Sequence, residues 1–315
     1  MARRVRARDR SGFDVRHIFF LITVLLSASP AATAEVPAVV ASIRPVQAIA
    51  ATVMAGVGTP DLLLPNIASL HAHALRPSEA RLLSRAKVVF WVGPSLEAFL
   101  AKPLEALAGK SHVVTLMNAP GLQPLPSRTG GLWETDGHAE DGHSKLPDGH
   151  IWLDPRNAVA MANAMAEALA VADPVNAAEY WANAENFSRE AMAFDKALHV
   201  RLTPIREKPF LVFHDATQYF EARYRLAALG SVSVTPDQPP GARRLAAIQE
   251  RLREVGAVCI FSEPQFEPRT VQMLVEGSGA HTGVLDPEGA TLKDGSGLYF
   301  TLMRNLADEL LRCLA

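Results

Sequence analysis

Residues 173–202, DPVNAAEYWANAENFSREAMAFDKALHVRL, decide how the chain is divided. Asp173-Pro174 reads as a helix start, because proline is favoured at the first helical position. Beyond it Trp181, Ala184, Phe187, Ala191, Phe194, Leu198 and Leu202 recur at steps of three and four, which places them on one stripe of a helix. A helix unbroken to Leu202 would be roughly 43 Å long at 1.5 Å per residue, enough to span a whole domain. Strand–helix alternation precedes this segment and restarts after it. The stretch is therefore read as a connector between two lobes rather than as an ordinary core helix.

Working outward toward the N-terminus, apolar runs at 38–43, 61–64, 88–92 and 112–116 read as strands, the first three closed by proline or glycine. Helical stretches at 46–54 and 77–86 lie between them, and Asp154-Pro155 caps a helix to about residue 172. Toward the C-terminus, strands at 209–213, within 226–234, at 258–261 and at 281–285 accompany helices at 242–255 and 297–314. Near-continuous apolar strands separated by helices argue for parallel sheets buried on both faces. The fold class is α/β: two Rossmann-like lobes, residues 35–173 and 204–315, joined by the helix at 174–203.

The chain has 315 residues, 49% of them hydrophobic, so two cores of ordinary size are available. Residues 1–34 read as a signal peptide. Six arginines precede an apolar run at 18–26, and Ala32-Thr33-Ala34 is a small-residue cleavage site. No later stretch approaches about 20 uninterrupted apolar residues, so the processed protein is expected to be soluble and exported. Six arginines and two aspartates leave with the signal, taking the formal charge from −2 to −6. An acidic exported protein is a poor candidate for nucleic-acid binding. Cys259 and Cys313, an even count in an exported chain, read as one disulfide, with two buried thiols as the alternative.

Three histidines stand where strands end or helices begin. His71 follows the second strand, His150 heads Asp148-Gly149-His150-Ile151-Trp152-Leu153-Asp154-Pro155, and His214 ends the run Phe210-Leu211-Val212-Phe213. Ligands in open α/β sheets bind outside the carboxyl ends of the strands, where Asp286 also lies. Zinc favours neutral imidazole in tetrahedral array, so the three are read as one site with Asp286 or water as fourth donor. Their spacings match no local zinc motif, and isolated histidines at strand ends are the alternative. Just before His150, residues 131–147 form a polar loop in which His138 and His143 stand among four acidic residues. The loop is read either as an auxiliary metal trap or as a solvated surface segment. His73 is placed with the surface or structural histidines, and is the one of them best placed to assist capture.

These residues resemble the substrate-binding proteins of zinc ABC importers, the ZnuA-like group among zinc, manganese and iron binders. The resemblance rests on Ser42-Ile43-Arg44-Pro45, Ser69-Leu70-His71, Val88-Val89-Phe90-Trp91-Val92-Gly93 and His150-Ile151-Trp152-Leu153-Asp154-Pro155. It continues through Phe213-His214-Asp215, Glu263-Pro264-Gln265-Phe266 and Leu285-Asp286-Pro287, in order along nearly the whole chain. It implies two α/β lobes on a rigid long helix, with metal in the cleft, and a disulfide between Cys259 and Cys313. It also implies that His71, His150 and His214 hold Zn²⁺; histidine rather than glutamate at 214 favours zinc over manganese or iron. Leu70 stands where some relatives carry an acidic residue, which leaves Asp286 or water as fourth donor. The expected protein is a periplasmic, monomeric, non-enzymatic carrier that delivers zinc to an ABC permease of the inner membrane. The alternatives are a manganese or iron carrier of the same fold and a secreted zinc hydrolase, for which Glu263 is the sequence's only general-base candidate.

Overall fold

A computed structural model describes residues 36–65, 73–128, 131–133, 146–233, 240–256, 259–276 and 278–315. The signal segment, His71, His138 and His143 lie outside these residues. In the N-terminal half, β1 (Val39–Ala41), β2 (Asp61–Leu62), β3 (Val88–Trp91) and β4 (His112–Thr115) form a parallel sheet in the order β2-β1-β3-β4. The C-terminal half has β5 (Pro209–Val212), β6 (Ala227–Ser231), β7 (Cys259–Ser262) and β8 (His281–Val284) in the same arrangement, β6-β5-β7-β8. Each sheet reverses its direction of growth between its first and third strands, and that reversal opens a crevice at the carboxyl ends.

Burial on both faces explains the apolar strands. Phe210, Val212, Cys259 and Phe261 face the main core, while Leu211, Phe213 and Ile260 face a second cluster with Val232, Ile248, Leu252, Val271 and Leu274. Among the helices, α1 (Arg44–Val53) carries Pro45 in its first turn, where a missing N–H costs nothing. Arg44-Pro45 thus opens a helix rather than only closing a strand. The helix α2 (Pro77–Arg85) follows expectation, whereas α3 (Ala101–Leu107) was not anticipated.

Two long helices follow. In α4 (Pro155–Ala172), Asp154 caps the first turn by accepting from the Arg156 N–H at 2.9 Å. After one 3-10 turn at Pro174–Asn176, α5 (Ala177–Arg201) runs for 25 residues, roughly 37 Å. Its first half meets the N-terminal half: Asn183 Nδ2 donates to the carbonyls of Val53 and Ala55. Its second half meets α6 (Gln218–Tyr224) through Asp195 and Arg223, and α9 (Leu298–Leu314) through Phe194 against Phe300. The stripe is real, but its first member is Tyr180, buried with its hydroxyl on Asp173. Trp181 is 45% exposed.

The remaining helices are α7 (Ala242–Val255) and α8 (Arg269–Val275). Cys259 at the start of β7 is disulfide-bonded to Cys313 in the last turn of α9. Among the described residues no helix is long and apolar enough to cross a membrane.

Candidate metal centre

β5 delivers His214 just past its carboxyl end, and β7, its neighbour across the sheet reversal, delivers Glu263. Glu263 Oε1 accepts from His214 Nδ1 at 2.6 Å and from the His214 backbone N–H at 3.2 Å. Both side chains are about 3% exposed. The other half builds the same unit differently. Asp148 Oδ1 accepts from His150 Nδ1 at 2.7 Å and from the His150 N–H at 2.9 Å. Gly149 allows this tight turn, because a Cβ there would come within 2.6 Å of Leu96 Cβ. Tyr219 from α6 closes the turn across the halves, accepting from the Leu125 N–H and donating to the Asp148 carbonyl, both at 2.9 Å.

The two imidazoles converge. Their centroids stand 5.4 Å apart with the rings inclined at 63°. A carboxylate on Nδ1 fixes the tautomer that places the lone pair on Nε2 and makes that nitrogen the more basic ligand. Trp152 and Phe266 pack edge-on against the rings of His150 and His214, at 5.4 and 6.0 Å.

Asp286, the expected carboxylate, has both oxygens engaged nearby in its own loop. Oδ1 accepts from the Ala290 N–H at 2.8 Å, and Oδ2 from the Thr291 N–H at 2.9 Å and its hydroxyl at 2.8 Å. Two residues on, Glu288 is buried and feels both imidazoles. Burial pushes its carboxyl up to about 7, with His214 and His150 pulling the other way. His214 is raised above the usual histidine value. Burial opposes its charge, but Glu263, Glu288 and Asp215 together outweigh that.

Sequence reasoning did not single out Glu288 or the contact of Asp148 with His150. Each is an acidic residue two places from a residue that it did single out. His73 is tied to buried Glu79 at 2.9 Å and packs edge-on against Phe99. Among the described residues no group of three or more His, Cys, Asp or Glu is arranged to hold a metal ion, and His71 is not among them.

The family described as "Zinc-uptake complex component A periplasmic" matches residues 39–313. The chain belongs to this family. A zinc-uptake relative, the high-affinity zinc uptake system protein ZnuA of Brucella suis biovar 1 (strain 1330), is 41% identical over 95% of this chain and 98% of that protein. The protein of the same name from Yersinia pestis is 37% identical over 93% of this chain and 96% of its own length. A solved structure described as "Crystal structure of ZnuA" matches in fold with a TM-score of 0.76 and 23% identity. It covers 89% of this chain and 100% of the other. The zinc-uptake family is one of transport binding proteins.

Proposed function

We propose that the protein captures Zn²⁺ between its two halves and hands it to the permease of an ABC importer. The reading is of a monomer that acts in the periplasm after removal of residues 1–34. One observation carries the site: a buried imidazole from each half, each with Nδ1 on a buried carboxylate, at a centroid separation of 5.4 Å. Two imidazoles bound through Nε2 at 2.0–2.1 Å, near the tetrahedral angle, would have centroids roughly 5.2 Å apart. The observed spacing agrees with zinc geometry to a few tenths of an ångström.

His71 is the third donor in this reading and Glu288 the fourth, in place of Asp286. Three neutral imidazoles and one carboxylate make a borderline-soft set that suits zinc better than manganese. Capture needs no chemistry beyond coordination. Glu263, the candidate base of a hydrolase, is instead bonded to His214 Nδ1, where it orients a ligand.

The test is a titration of metal-free protein spanning residues 35–315 with zinc, in competition with manganese, alongside His71→Ala, His150→Ala and His214→Ala. One tight zinc equivalent, weak manganese binding and a large loss in each variant are expected. Manganese binding as tight as zinc would turn the reading to a manganese carrier. Wild-type binding in any one variant would remove that histidine from the site.

A further inference from the structure

His150 and His214 come from different halves, so no strand or turn sets the distance between them. Contacts across the halves must do it, and one is charged. Residues 125–128 and 146–148 form the neck of the polar loop. Pro126 pairs with Pro147, the Ser127 hydroxyl donates to the Leu146 carbonyl at 2.8 Å, and the Asp148 N–H donates to the Leu125 carbonyl at 2.9 Å. One strand of the neck runs directly into Asp148 and His150. The other ends in Arg128.

The Arg128 guanidinium reaches across to the C-terminal half. Nε lies 3.0 Å from both oxygens of Asp215, Nη2 also donates to Asp215, and Nη1 donates to Glu221 Oε2 at 2.5 Å. Asp215 is the residue after His214. Glu221, on α6, is fixed by the Thr217 hydroxyl at 2.6 Å. The guanidinium carbon Cζ lies over the Trp133 ring, 3.5 Å from its centroid. Leu132 beside it seats on Gly230 of β6, where any Cβ would clash, and its carbonyl accepts from Arg244 Nη2 at 2.7 Å. A planar fork with a carboxylate on each arm and a ring on its face holds an orientation that a lysine ammonium cannot.

We infer that Arg128 is a positioning residue for zinc: by joining the neck of the His150 arm to the Asp215 turn, it holds His150 and His214 at ligand spacing. This rests on the zinc site proposed above. It predicts that losing Arg128 damages the geometry of coordination and not only the stability of the fold. Partners that orient ligands without touching the metal are worth about 10–100-fold in affinity.

The experiment compares the purified wild type with Arg128→Ala, Arg128→Lys, Asp215→Asn and the double variant Arg128→Ala/Asp215→Asn. Zinc affinity, zinc release into excess chelator and the visible spectrum of the cobalt(II) form are read beside Tm. Arg223→Ala, which removes a pair with Asp195 on α5, serves as the structural control. Expected are at least about tenfold faster release for Arg128→Ala, a shifted cobalt spectrum and partial recovery in Arg128→Lys. The double variant should be little worse than Arg128→Ala. Arg223→Ala should lower Tm alone.

If Arg128→Ala lowers Tm while affinity, release and spectrum stay as in wild type, the residue is merely structural and the inference is wrong. If Arg128→Ala does not fold, Arg128→Lys and Asp215→Asn decide by the same readouts. Failure of the wild type itself to bind one zinc would overturn the proposed function instead.

Discussion

Glu263 Oε1 holds His214 twice, at the ring Nδ1 (2.6 Å) and at the backbone N–H (3.2 Å). One carboxylate oxygen therefore sets both the tautomer and the tilt of the imidazole. Glu263→Ala should lower zinc affinity by about 10–100-fold, as removal of such a partner does elsewhere. Glu263→Gln should keep the hydrogen bond, lose the charge and fall in between. Chelator competition measures both. Equal affinity in all three proteins would deprive Glu263 of this role.

Zinc binding should weaken as pH falls, starting above the usual histidine range. The Glu263, Glu288 and Asp215 carboxylates raise His214 against the opposing effect of burial, and burial raises Glu288 to about 7. Both groups therefore take up protons at a higher pH than ordinary side chains of their kind, and zinc must displace those protons. Affinity should be full above the raised values and decline as pH falls through about 7, where Glu288 takes up its proton. Competition assays between about pH 6 and about pH 8 test this. A flat profile there would show that neither group gives up a proton to zinc in that range.

Much of this architecture was legible, for identifiable reasons. The paired sheets could be read because strands such as Val88–Trp91 and Pro209–Val212 are apolar on both faces. Seven-residue helices such as Gln218–Tyr224 and Arg269–Val275 span two turns, too short for a periodicity to show. In α5 the phase was ambiguous where Tyr180 and Trp181 adjoin, and the buried Asp195, paired with Arg223, breaks the apolar stripe. His150 and His214 stand out in the sequence because one heads a helix start and the other ends an apolar run. Asp286 stands out in the sequence because it ends a strand, yet an aspartate before proline favours a turn in which its oxygens accept backbone N–H groups.

That contrast separates two carboxylates by experiment. Glu288→Gln should weaken zinc binding at least about tenfold with little change in stability, as expected of a lost donor. Asp286→Asn should weaken the three hydrogen bonds that tie the loop at residues 286–291, costing roughly 1–2 kcal/mol in unfolding free energy, and leave zinc affinity near wild type. Zinc titration and denaturant unfolding of both variants decide the matter. The reverse pattern would restore Asp286 as the fourth donor.

The Cys259–Cys313 bond closes a loop of sequence separation 54 and anchors β7, which carries Glu263 at its end. Replacing both cysteines with serine should cost about 2–4 kcal/mol, chiefly by freeing the unfolded chain. Because β7 is central in its sheet and flanked by β5 and β8, the folded variant should still bind zinc. Denaturant unfolding and zinc titration of the double variant check both statements. Loss of zinc binding in a variant that melts cooperatively would mean that the bond positions Glu263 directly.

Glu97 gives stability a pH dependence that is independent of zinc. It lies six residues past the end of β3 in the N-terminal half, and its Oε2 accepts from the Val92 N–H at 2.7 Å. Burial raises its carboxyl from 4.5 to about 7, against the pull of Ser42 and the backbone N–H groups of Val92 and Gly93. A pKa raised on folding means that the folded state holds the proton more tightly. The resulting stability is fully present below about 4.5, is lost as pH rises to about 7, and stays lost above. Glu97→Gln mimics the neutral acid at every pH. Metal-free Glu97→Gln should therefore gain on wild type as pH rises from about 5 to about 8, as read by Tm at the two ends. An unchanged Tm difference across that window would show that Glu97 does not change its proton occupancy on folding.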